Sequence, residues 1–128
     1  MSDLAPFSAT SPVWRHRARV LKALGHPTRL FLVHHLARGE TCVCELADLV
    51  GADVSTVSRH LGVLRDAGIL ADERRGAQVF YRLVAPAALE LVRGAEGVAR
   101  GAVARDAAAL AGLTAEDEAK RAPAEAYS

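Results

Sequence analysis

Cys42 and Cys44 are the only cysteines in this chain of 128 residues, and Val43 alone separates them. Two thiols at that spacing support three kinds of chemistry. They can hold a soft metal or metalloid, they can work as a redox or persulfide pair, or they can simply be small packing residues. A structural disulfide is disfavoured, both by the geometry of an S–S bridge and by a reducing cytoplasm. A second set of reactive types follows closely: Ser55, Thr56, Ser58, Arg59 and His60, and then Arg74 and Arg75. Hydroxyls and guanidinium groups suit phosphate oxygens and base edges, with Arg favouring guanine O6 and N7. The bland reading of the same residues is an ordinary solvated helix surface and hairpin tip.

The order of elements turns these groups into a pattern. Residues 1–12, with Pro6 and Pro12 among serines and a threonine, read as a flexible arm. A first helix follows over 13–24, with Trp14, Ala18 and Leu21 on one stripe, and Gly25 stops it. Pro27 starts a second helix that runs to Arg38, with His26 as its cap. This second helix is apolar nearly all round, which predicts the most buried helix of the chain. His34 and His35 lie in it and read as core histidines. A short third helix covers 43–50, and Gly51-Ala52 makes the turn. A fourth opens at Asp53 or Ser55, both good caps, and carries Val57, Leu61 and Leu64 inward until Gly68. Two helices joined by a glycine turn, the second polar at its start, form a helix-turn-helix pattern with the recognition helix at 53–67.

The period then changes. Residues 70–84 alternate about Gly76-Ala77 and predict a two-stranded hairpin with a basic tip, a wing behind the helix-turn-helix. Pro86 starts a fifth helix, read as 87–110. Its weak stripe of Leu89, Val92, Glu96, Ala99, Val103, Asp106 and Leu110 is assigned to dimerisation, because small residues permit close helix packing. Residues 113–128 are expected to form a tail with one further short helix from Thr114. The fold class is therefore mainly α with a two-stranded β wing, a homodimeric winged helix-turn-helix with its core in 13–112.

Composition agrees with that class. Half the residues are apolar, 51%, and a quarter are charged, 24%, as in a soluble domain. No apolar run nears the roughly 20 residues that span a bilayer, and no secretory signal opens the chain, so no membrane partner is expected and the location is cytoplasmic. The net charge of +1 hides an asymmetry: eleven Lys and Arg oppose seven acids between Val13 and Val84. A basic middle flanked by acidic ends fits DNA.

Three blocks are then recognisable together. Ala23-Leu24-Gly25-His26-Pro27-Thr28-Arg29-Leu30, Cys42-Val43-Cys44-Glu45-Leu46 and Ser55-Thr56-Val57-Ser58-Arg59-His60-Leu61 resemble the ArsR/SmtB family of bacterial metal-responsive repressors. The resemblance spans residues 13–110. It implies a homodimer that sits on double-stranded operator DNA and leaves when an inducer binds. The cysteine block resembles the arsenite-sensing branch, which carries Cys42 and Cys44 over as ligands of As(III) or Sb(III), with Cd(II) or Pb(II) as alternatives. Ala47 stands where such sensors often have a further cysteine, the arm has none, and no histidine follows His60. His16, offered by a partner chain, is the candidate third ligand.

On a regular helix residues i and i+2 point about 200° apart. One ion therefore reaches both thiols only if the start of the third helix unwinds or shifts, which is the differential binding a switch requires. The same thiols and the same DNA surface also suit a redox- or sulfide-responsive repressor. An enzyme is not expected, because nothing resembles an oxyanion loop, a phosphate-cradling glycine run or a carboxylate pair.

Overall fold

The computed structural model describes residues 8 and 11–126, with side chains at 8 and 11–113. Among the described residues the order is α1 (Pro12–Leu24), α2 (Pro27–Leu36), β1 (Thr41–Cys42), α3 (Val43–Val50), α4 (Val54–Asp66), β2 (Leu70–Arg75), β3 (Gln78–Leu83) and α5 (Ala87–Ala126). The chain falls into two units, residues 1–92 and 93–128.

In the first unit, local chemistry sets each helix start. Prolines stand at the first positions of α1 and α2, where a missing N–H costs nothing. The His26 ring caps α2 by accepting from the Thr28 N–H at 3.1 Å. Asp53 caps α4, its Oδ1 accepting from the Thr56 N–H at 2.7 Å. Between α3 and α4 the chain turns sharply at Gly51, whose φ of 76° is costly for any residue with a Cβ.

One core joins these elements. Leu32, Val33 and Leu36 of α2 meet Val43, Leu46 and Ala47 of α3 and Val57, Leu61 and Leu64 of α4. The α4 residues recur at steps of four and three, a single apolar stripe facing inward. Ile69, Leu70 and Tyr81 close the core from the sheet side.

The sheet has three strands in the order β1-β3-β2, all pairs antiparallel. The two-stranded hairpin of the wing, β2 and β3, stands where the sequence predicts it, and its sheet holds one strand more. Thr41 and Cys42 add a short third strand, pairing with Tyr81 and Phe80. Two residues carry no detectable alternation, so only the folded register reveals them.

Two further expectations need correction. Helix α2 buries one face only: Phe31 is 40% exposed, His34 is exposed, and half-buried His35 stacks on Phe31 at 5.9 Å. A run of apolar residues exceeds what one contact face can cover, and the excess stays outside. Helix α5, in turn, continues to Ala126 through the expected boundary at 112, with no separate helix from Thr114. The alanine-rich sequence there favours propagation. The expected arm falls largely outside the described residues, and α1 begins at Pro12 within it.

The second unit is the remainder of α5. Val98, Val103, Leu110 and Leu113 are all more than 60% exposed along it. Glu96 and Arg100 pair at 2.7 Å one turn apart. Val92, assigned to the dimer seam from the sequence, is partly buried against the core of its own chain in the first unit. No helix among the described residues is long and apolar enough to cross a membrane.

Candidate nucleic-acid interface and thiol pair

Helix α4 presents its polar start as expected. Ser55 and Arg59 are exposed, while Thr56 and Ser58 are half-buried. Ser55 Oγ donates to Asp53 Oδ1 at 3.1 Å, so its hydroxyl is held beside the cap. Hydrogen bonds from Thr56 and then Ser55 hold the Asp53 carboxyl below its usual range, which keeps the cap ionised.

His60 is placed differently. Its ring lies 4.4 Å from that of His26, and Arg29 Nη1 approaches its Nδ1 at 3.4 Å. Arg has only donors, so Nδ1 of His60 accepts and its proton sits on Nε2. Loss of hydration lowers the His60 pKa, and the charges of His26, Arg29 and Arg59 lower it further. His60 is thus a neutral wedge between α2 and α4 rather than a cation facing outward. Among the described residues the buried Nε of Arg29 has no hydrogen-bond partner.

The two wing arginines also part company. Strand residues alternate faces, so Arg74 shares the face of Tyr81 and Arg75 shares that of Phe80. Arg74 is exposed. Arg75 is held: its Nη1 donates to Glu40 Oε1 at 2.6 Å and its Nη2 to Glu73 Oε2 at 2.8 Å. Its guanidinium carbon also lies 4.7 Å from the centre of the Phe80 ring. On the opposite face Arg65 of α4 reaches Asp72 of β2 at 3.1 Å, tying helix to wing.

The thiols straddle a junction. Cys42 ends β1 and stands just before the first turn of α3 in extended conformation, φ −78° and ψ 153°, and is half-buried. Cys44 lies in the first turn of α3 and is exposed. Only Cys44 sits on helical backbone, so the separation of about 200° between two helical positions does not describe this pair. The reason is the pairing of β1 with β3, which holds Cys42 in the strand. Among the described residues no three His, Cys, Asp or Glu side chains gather as a metal site. His16 is exposed on α1, beside a cleft of about 230 Å³ shared with Pro12, Arg15 and Arg19. Within one chain it does not join the cysteines.

Glu40, Phe80, Asp72 and Arg29 position these groups, and none stood out in the sequence. Each acts through a partner 7 to 38 residues away, which only the strand register and helix packing disclose.

Residues 26–72 match the model of the bacterial regulatory proteins of the arsR family. The fold is that of the solution structure of a homodimeric winged helix-turn-helix DNA-binding domain from Mycobacterium bovis, a possible ArsR-family regulator. The two are 30% identical with a TM-score of 0.63, over 76% of this chain and 91% of that one. This chain belongs to the arsR family. The biofilm growth-associated repressor of Xylella fastidiosa is 47% identical over 75 residues, 59% of this chain and 66% of that protein. This chain thus spans just under two thirds of that curated relative. The crystal structure of AntR, an antimony-specific transcriptional repressor, is 32% identical with a TM-score of 0.62, over 80% of this chain and 94% of that one. The family is one of regulators, not of enzymes.

Proposed function

We propose that this arsR-family chain is a cytoplasmic, homodimeric transcriptional repressor that releases its operator DNA when As(III) or Sb(III) is taken up by Cys42 and Cys44. The observation that carries this reading is the position of the thiols. They flank the point where β1, paired to the wing, becomes α3, the helix packed against α4. A ligand drawing the two sulfurs together acts where both DNA-reading elements are anchored. Ser55, Thr56, Ser58, Arg59 and Arg74 are the side chains assigned to DNA. His60 and Arg75 serve those contacts by positioning.

Thiolates select soft ions. Two of them, with a small thiol or water in the third place, fit a three-coordinate metalloid. They fit Cd(II) or Pb(II) less well, since such ions need further donors, and among the described residues no third one gathers with the pair. The similarity to an antimony-specific repressor supports the metalloid reading for this chain. The exposure of Cys44 next to half-buried Cys42 favours one rival, a redox- or sulfide-responsive repressor using the same pair.

Fluorescence anisotropy separates these readings. A labelled duplex from upstream of the gene is bound by reduced protein, and arsenite, antimonite, cadmium and zinc are added in turn. Release by arsenite or antimonite under full reduction is expected. Release only by an oxidant or a sulfane-sulfur donor assigns the thiols to redox sensing.

A further inference from the structure

We infer that Arg75 is a positioning residue that carries a change at Cys42 to the wing, through Glu40 and Phe80. The inference deepens the proposed function, since it takes the cysteines as the point of entry for the signal.

The strand register supplies the geometry. Cys42 pairs with Phe80 across one ladder, and Glu73 pairs with Phe80 across the other. Directly opposed residues share a sheet face, so Cys42, Phe80 and Glu73 form one row across three strands. Side chains alternate with period two, which puts Arg75 on the face of Glu73, and Glu40, just before β1, reaches that face through its contact with Arg75. The contacts agree: the Arg75 guanidinium binds Glu40 and Glu73 and lies over Phe80.

Each of these ion pairs is partly exposed and weak alone. Together they fix one planar group on three sides, which a guanidinium fork suits and an ammonium does not. Glu40 lies two residues before Cys42 on a continuous backbone. Pulling Cys42 toward Cys44 therefore displaces Phe80 or Glu40, and Arg75 touches both. Arg75 is the last residue of β2, next to the Gly76-Ala77 turn. The turn moves with it. The opposite face of the wing is pinned to α4 by Arg65 and Asp72, so the wing bridges the thiols and the recognition helix.

The test uses the full chain labelled with ¹⁵N. In a Cys44→Ser background, methyl methanethiosulfonate modifies Cys42 alone. The Arg75 Nε–H and the Gly76 and Ala77 amide resonances are expected to shift, and Glu40→Gln is expected to abolish most of that shift. In parallel, anisotropy on the same duplex should show modification lowering DNA affinity roughly tenfold or more, and less than about threefold with Glu40→Gln or Arg75→Gln. Unmoved wing resonances, or equal losses in all proteins, overturn the inference. A sodium arsenite arm keeps the two claims apart. If arsenite does not release DNA, the metalloid reading falls, and the methylthiolation result still decides the role of Arg75.

Discussion

Adjacent residues on a strand face opposite sides, and that single fact separates two arginines that look equivalent in the sequence. Arg74 has its side chain exposed on the Tyr81 face, whereas Arg75 is held between Glu40, Glu73 and the Phe80 ring. Arg74→Gln is expected to reduce the slope of log affinity against log salt by about one, the signature of a lost phosphate contact. Arg75→Gln should leave that slope unchanged. Titrating both variants from low to high salt checks the pair. His60 carries a second expectation. Its pKa is lowered from 6.5 by lost hydration and by His26, Arg29 and Arg59, so the folded state disfavours the imidazolium. Stability from this group is constant above the ordinary value, falls as pH drops below it, and levels off beneath the folded pKa. His60→Gln should flatten that acid-side loss in denaturant melts. Legibility at this scale was uneven: the residue types at 55–60 and 74–75 were plain in the sequence, but their directions depended on register and packing.

At the scale of elements, the sequence speaks clearly where periodicity is strong. Helix α3 lies over the predicted span, α4 differs by about a residue at each end, and the hairpin turns at Gly76-Ala77. What stayed hidden has physical causes. Strand β1 is too short to alternate, α2 has more apolar residues than its contact face holds, and α5 runs past its expected end at 110, through Gly112, to Ala126. The most exacting element is α4, because Val57, Leu61 and Leu64 are wholly buried while the opposite face carries the side chains proposed to meet DNA. Leu61→Ala should cost about 2–5 kcal/mol of stability, by lost transfer energy and a residual cavity. Urea denaturation measures it. A much smaller loss would mean that the α2–α3–α4 packing can collapse around the gap.

For the whole molecule, the second unit poses a question of solvation. Val98, Val103, Leu110 and Leu113 line a helix with little to bury them in one chain. A second copy is the cover proposed here, and the similar domain from Mycobacterium bovis is homodimeric. Val98→Glu is expected to weaken self-association roughly tenfold or more, from the burial a valine side chain supplies. Sedimentation equilibrium across a concentration series reads it directly, and an unchanged dimer would move the interface elsewhere. Dimerisation also bears on DNA, since two recognition helices must meet two half-sites together. The same variant should therefore lose operator affinity at low protein concentration and regain it at high.

The central claim is that Cys42 and Cys44 hold the inducer while α4 and the wing hold DNA. It is tested most directly by anisotropy with sodium arsenite on reduced parent, Cys42→Ser and Cys44→Ser proteins bound to the operator duplex. All three should bind DNA alike before arsenite is added. The parent should then lose affinity, by up to about 150-fold for a coupling near 3 kcal/mol, while both variants stay bound. Full release of both serine variants by arsenite would contradict the account and move the inducer site away from the thiols.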